Sequence, residues 1–259
     1  AARGRQTRCT EPRRSRRPRG ARAGRVGSGL LKGGFACLAP GELAPAGTVA
    51  ALARGVEALE AQGWPATFIL AFDEAWALLE QAAALVREAT GNEPNLDVLA
   101  WKVDPARGQG GFSPHRDRQP ADVEGSFRGD RGSARYVTCW MALSDATPEN
   151  SCLYCVPADA DPGYFSGDRE DVDPLTRALG GKKENYQLIR ALPCEAGGAV
   201  VFTHRLIHWG SRNSGDGGGA PPPPRLSLAM AASDPGFEPP YFSPDLLPNP
   251  PLRLRVALA

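Results

Sequence analysis

The sequence predicts a mainly β domain, an antiparallel sandwich or barrel with helices packed on its outside. Three observations lead there. Two stretches of helical periodicity come first, between Gly41 and Gly91. From Pro94 onward the chain breaks into short β-like runs separated by Gly, Pro, Asp or Asn. Finally, 259 residues that are 42% hydrophobic and 23% charged can bury a sizeable core, and Gly 30 and Pro 25 supply turns. Helices first and strands afterwards suggest a single sandwich with the helices outside it.

The N-terminal stretch, residues 1–29, holds arginine at ten positions and one acid, Glu11. Such a composition is expected to stay disordered, as a tail or an organelle transit segment. Residues 30–259 then form one domain. In 41–62, Leu43, Val49, Leu52, Val56 and Leu59 recur at helical spacing, and Gly63-Trp64-Pro65 ends the run. A second amphipathic helix spans 72–90 (Ala75, Trp76, Leu79, Ala83, Val86) and is closed by Gly91-Asn92. The predicted strands are 96–103, 135–143, 152–156, 186–192, 199–204 and 226–232, within a β core of about 95–234. Gly215–Pro224 reads as a low-complexity surface loop, and the Pro-rich tail 235–259 as a segment wrapped over the body.

Net charge is +1, but its positive excess lies in the first 25 residues, so the rest is mildly acidic and unsuited to a nucleic-acid-binding core. No apolar run approaches the roughly 18–20 residues of a membrane span. Six cysteines in a chain of this length do not suggest a disulfide scaffold. They predict reduced thiols and an intracellular setting, cytoplasmic or organellar.

The chemistry concentrates in two places. All three histidines lie at 115, 204 and 208, and Asp117 follows the first by two residues. A histidine and a carboxylate two apart, with a distal histidine, form the 2-His-1-carboxylate set that holds non-haem Fe(II) and leaves positions open. In an extended segment His115 and Asp117 project to one side. Spacing alone leaves His204 and His208 both open as the third ligand: His204 ends a strand-like run, whereas His208 opens the turn-like Trp-Gly-Ser.

His115-Arg-Asp117, Cys139-Trp140 through Pro157, Gly197 through Phe202, His208-Trp-Gly-Ser-Arg-Asn213 and Pro224-Arg225-Leu-Ser227 together resemble the phytanoyl-CoA dioxygenase family over about residues 95–234. The resemblance implies a double-stranded β-helix, the jelly-roll of cupin-like proteins. It also implies Fe(II), 2-oxoglutarate as co-substrate and O2, with a C–H bond of a small-molecule or acyl substrate hydroxylated and succinate and CO2 released. Carried over by position, His115, Asp117 and His208 would bind iron. Arg225 would hold the far carboxylate of 2-oxoglutarate, and Trp140, Ser227 and Lys102 would line its pocket. Two features depart from the family: a His208-to-Arg225 interval lengthened by the Gly/Pro insert, and Val156-Pro157-Ala in place of Pro-Gly-Ser-His. The second leaves the substrate open, as is the oligomeric state.

Two readings from other classes remain: a non-catalytic jelly-roll binding module, and a metal-dependent cupin-like enzyme that does not use 2-oxoglutarate. Cys152-x-x-Cys155 with His204-x-x-x-His208 is too widely spaced for a zinc finger. The acidic run Asp168, Glu170, Asp171, Asp173 is expected to be a solvated loop, and Gly215–Gly219 lacks the lysine of a phosphate loop.

Overall fold

The structure, a computed structural model, describes residues 19–117, 125–129, 131–169, 171–211, 221–247 and 249–259. The elements run α1 (Arg19–Gly33), β1 (Phe35–Leu38), α2 (Ala46–Ala61), α3 (Asp73–Thr90), β2 (Glu93–Val103), β3 (Tyr136–Ala142), β4 (Leu153–Val156), α4 (Pro174–Leu179), β5 (Arg190–Leu192), β6 (Ala199–Thr203), β7 (Ile207–Gly210), β8 (Arg225–Ser233) and α5 (Leu252–Leu258). A five-stranded sheet in the order β1-β6-β3-β8-β2 faces a three-stranded sheet in the order β5-β4-β7, with antiparallel pairing between all neighbouring strands among the described residues.

Residues 19–29, expected to lie in a disordered tail, belong to helix α1. Ala23, Val26 and Leu30 repeat at helical spacing and are buried, so α1 has an apolar stripe to lay against β1 and α3. The arginine count masks that stripe; Arg25, on the outer side, pairs with Glu42. Residues 1–18 and 212–220 lie outside the described residues, and the latter take in 215–220 of the predicted Gly/Pro loop. In α2 the buried residues are Val49, Leu52 and Val56. Helix α3 carries Asp73 and Glu74 in its first turn, where they suit the helix dipole, and ends on Gly91 at φ 72.

Side chains alternate across the large sheet, and that alternation positions everything that follows. On β3, Val137, Cys139 and Met141 join the helix-side core, whereas Trp140 and Ala142 face the small sheet. On β8, Leu226, Leu228 and Met230 point to the helices. Arg225, Ser227, Ala229 and Ala231 point into the sandwich, where they line a cavity.

Strands β1 and β7 were not among those predicted, and β5 is shorter than 186–192 because Lys183–Leu188 forms a 3-10 turn. The predicted turn-like context of His208 is instead strand β7. It pairs with β4, Cys155 opposite His208. The acidic run is not one solvated loop either. Asp168 is buried in an ion-pair cluster; Asp173 caps α4 by accepting from the Thr176 amide at 2.9 Å; Asp171 is exposed and pairs with Arg169. Glu170 lies outside the described residues. Cys139, Cys152, Cys155 and Cys194 are free and buried, whereas Cys37 is disulfide-bonded, which the expectation of reduced thiols did not include. Among the described residues no helix is long and apolar enough to cross a membrane.

Candidate metal centre and cavity

His115 is delivered by the segment after β2, which runs alongside β7 as an extra partial strand. Its amide donates to the His208 carbonyl at 3.1 Å, and the His208 amide donates back to the His115 carbonyl at 3.0 Å. Two glycines permit this approach. A Cβ on Gly111 would come 2.5 Å from the Gly210 Cα, and one on Gly210 would come 2.7 Å from the Gly111 Cα.

Ligand atoms of His115, Asp117 and His208 gather within 4.8 Å of one another. The Nε2 atoms of His115 and His208 lie 3.6 and 3.3 Å from Asp117 Oδ1. His115 Nδ1 is 2.7 Å from the Ser113 carbonyl oxygen, and His208 Nδ1 is 3.1 Å from that of Leu206. A carbonyl can only accept, so each Nδ1 carries a proton and each Nε2 is the ring nitrogen turned to Asp117. Burial works to lower the His115 imidazole, but Asp117 and the Ser113 carbonyl outweigh it and raise it above its ordinary value. Two imidazole Nε2 atoms and a carboxylate then converge, the donor set that holds a divalent cation once it displaces any Nε2 proton. Thr138 donates to the second oxygen, Oδ2, of Asp117. Burial works to raise the Asp117 carboxyl, but His208, His115 and Thr138 outweigh it and hold it below its ordinary value. Burial keeps the His208 imidazole below its ordinary value despite Asp117. Both groups therefore sit in their metal-binding protonation states near neutral pH.

The same cavity, about 270 Å³, is lined by Arg225, Ser227, Trp140 and Trp101. Arg225 is 2% exposed. Its guanidinium lies 5.9 and 5.4 Å from the rings of Trp101 and Trp140, and Nη1 donates to the Ser151 carbonyl at 2.8 Å. Its Nε is buried without a partner, and among the described residues no carboxylate pairs with it. Burial lowers its pKa to about 10, so the charge persists at neutral pH. Ser227 donates to the Trp101 carbonyl at 3.3 Å.

Lys102 does not join them. It is one residue from cavity-lining Trp101, so alternation turns it to the helix side, where it pairs with Glu60 of α2. His204 is also elsewhere. It is fully buried just past the end of β6, its Nδ1 2.9 Å from the Tyr136 carbonyl, against Phe127, Tyr136 and Phe237.

Several contributing residues escape sequence reasoning. Thr138 was legible in principle, two residues before Trp140 on the same face. Arg116, between the two ligands of its own segment, turns away from the cavity into a buried cluster. It donates to Asp161 at 2.7 and 3.2 Å, to Asp168 at 2.7 Å through each of two nitrogens, and to the Arg205 carbonyl. Arg205 completes it, 3.4 Å from Asp168. No local pattern announces a cluster whose members lie 45 and 52 residues apart. It is tight: a Cβ on Gly163 would sit 2.6 Å from Asp168 Oδ1 and 2.7 Å from Arg116 Nη2.

Fold and site together define a jelly-roll domain with a His-x-Asp and a distal His converging at one end of its cavity. Residues 66–218, more than half of the chain, match the profile of the family described as Phytanoyl-CoA dioxygenase (PhyH). The chain belongs to that family. One curated relative, the Phytanoyl-CoA dioxygenase domain-containing protein 1 of Danio rerio, is 28% identical over 111 residues. That alignment spans 41% of this chain but only 36% of the relative. Among solved structures, the non-heme alpha ketoglutarate dependent epimerase SnoN from nogalamycin biosynthesis superposes with TM-score 0.56 at 20% identity, over 83% of this chain and 81% of that one. The non-heme alpha ketoglutarate dependent carbocyclase SnoK gives 0.54 at 18%, over 81% and 83%. EctD from S. alaskensis gives 0.55 at 16%, over 83% and 79%. At such identities the likeness is one of fold.

Proposed function

We propose that this chain is an Fe(II)- and 2-oxoglutarate-dependent dioxygenase that hydroxylates a C–H bond of a small molecule. The observation that carries the reading is Arg225: a buried cation with an unpartnered Nε, on the wall of the cavity where the three ligands converge. A buried charge without a counter-ion is costly, and a planar guanidinium takes a carboxylate through two parallel hydrogen bonds. A dicarboxylic co-substrate supplies that anion; a cupin-like metal enzyme without one leaves Arg225 unexplained, and a binding module leaves the triad unexplained.

His115, Asp117 and His208 would hold Fe(II), with both imidazoles oriented by the carbonyls of Ser113 and Leu206 and the carboxylate by Thr138. Arg225 would fix the co-substrate, with Trp101 and Trp140 confining its guanidinium and Ser227 lying beside it. Fe(II), 2-oxoglutarate and O2 would supply the oxidising power, with succinate and CO2 as products. The two solved relatives whose names specify alpha ketoglutarate dependence are in keeping with this reading. Asp117 occupies the ligand position a halide would need, which favours hydroxylation over halogenation.

The test is an anaerobic titration with Fe(II), then 2-oxoglutarate, following the weak visible charge-transfer band of the chelate. The band should form in the wild type, vanish in Asp117→Ala, and require far more 2-oxoglutarate in Arg225→Gln. Iron binding without a band would discard the co-substrate; no iron binding would favour the binding module.

A further inference from the structure

With Asp117 given to the metal and Arg225 to the co-substrate, one charged side chain remains among the described residues lining the cavity: Asp97. The chain takes unusual measures to place it. Between Pro94 and Val98 the pairing of β2 with β8 shifts register, a bulge that re-aims the strand. Leu96, at the bulge, adopts φ 63, a left-handed conformation that residues with side chains seldom occupy. Its side chain is 2% exposed, anchored in the helix-side core, and Asp97 is thereby turned to the cavity. Asn95 Oδ1 accepts from the Asp97 amide at 3.0 Å, and Tyr136 Oη donates to Asp97 Oδ2 at 3.2 Å. Among the described residues nothing donates to Oδ1.

The surroundings are apolar. Leu99 and Phe112 are exposed at the rim, and Phe112 packs on Trp101 with ring centroids 4.2 Å apart. Leu153, Phe202, Trp209 and Ala229 continue the wall. An anionic headgroup would meet a carboxylate here and no free cation, because the basic side chains of the described wall, His115, His208 and Arg225, are taken by the metal and the co-substrate. A protonated amine would gain the carboxylate, with aromatic faces beside it that attract cations.

We infer that the substrate is a hydrophobic molecule carrying a protonated amine, its ammonium held by Asp97 and its apolar body by Leu99, Trp101 and Phe112. Asp97 is thus a specificity-determining residue, and a CoA thioester, with its phosphates, is the wrong kind of substrate. This rests on the 2-oxoglutarate reading, since that reading is what removes Arg225 from the substrate's reach.

The experiment compares three probes of one shape, 3-phenylpropylamine, 3-phenylpropanol and 3-phenylpropionate, together with octanoyl-CoA. Each is titrated calorimetrically into protein loaded anaerobically with Fe(II) and 2-oxoglutarate. The amine should bind about two- to fivefold more tightly than the alcohol, the worth of an ion pair to a carboxylate exposed at the cavity mouth. Asp97→Asn, which keeps an acceptor for Tyr136, should bring the amine to the level of the alcohol and leave the alcohol, the melting temperature and the charge-transfer band unchanged. Equal binding of amine and alcohol, unchanged amine binding in Asp97→Asn, tightest binding by the acid or the thioester, or binding by none of the four overturns the inference. Absence of the band in wild type counts against the co-substrate instead, and the same titration with Fe(II) alone still reads the amine preference.

Discussion

Arg116→Gln is the substitution whose consequence the structure specifies most fully. The side chains of Arg116, Asp161 and Asp168 are 2%, 1% and 2% exposed, and that of Arg205 is 0%. Two cations and two anions cancel inside a nearly water-free cluster. Glutamine keeps some hydrogen bonding but strands one negative charge, and breaking a buried pair in this way costs about 3–5 kcal/mol. For a chain of this size that is a fall in Tm of roughly 6–20 °C, measurable by thermal or urea unfolding. The double variant Arg116→Gln/Asp168→Asn leaves Arg205 with Asp161 and restores neutrality, so its loss should be smaller than the sum of the two single losses by at least ~1 kcal/mol. The cluster also makes stability depend on pH. Burial tends to raise the Asp168 carboxyl, but the Arg116 guanidinium outweighs it and holds the carboxyl below its ordinary value. A depressed carboxyl contributes stability above the unfolded value of about 3.9 and loses it as pH falls through the folded value. Wild type should therefore weaken below about pH 4, and Asp168→Asn should weaken less steeply there. A loss under about 1 kcal/mol for Arg116→Gln, or a double variant as impaired as the summed singles, would refute the charge-balance argument.

Arg225→Gln should raise the 2-oxoglutarate concentration needed for half-saturation by on the order of a hundredfold while Fe(II) still binds, read from the two arms of the anaerobic titration. Thr138→Val removes the donor to Asp117 Oδ2 and should weaken Fe(II) binding about 10–100-fold, as loss of a ligand's orienting partner generally does; calorimetry with the metal alone measures it. His208→Ala should abolish Fe(II) binding with little change in folding. His204→Ala should do the reverse, lowering Tm through a cavity in the Phe127–Tyr136–Phe237 cluster while Fe(II) still binds.

The architecture was legible because its causes are local. Helical spacing in Val49, Leu52 and Val56, and short β-branched runs after Pro94, specify elements whose burial follows from period alone. The position of Lys102 was not legible, because it follows from the register of two distant strands: Lys102 lies opposite Leu226, which faces the helices, so it cannot share the cavity face with Arg225 and Ser227. Helix α1 was hidden because arginine content outweighed the three apolar positions that bury it. His208 was placed in a turn because Gly210 and Ser211 follow so closely; pairing with β4 and with His115 overrides that local signal. The Arg116 cluster and the bulge that turns Asp97 rest on partners far off in sequence, for which a single chain carries no marker.

The reciprocal bonds between His115 and His208 are an isolated bridge rather than part of a continuous ladder. Beyond them, among the described residues, the backbone bonding of this seam is the Gly210 amide donating to the Phe112 carbonyl. A seam held by so few bonds opens at a lower free energy than the sheets flanking it. Opening it carries His115 away from His208 and leaves both sheets closed. Metal exchange would then follow the breathing of one short segment rather than unfolding of the barrel. The lifetime of the bound ion would become a property of main-chain dynamics, to be compared with the hydrogen-exchange rates of those two amides.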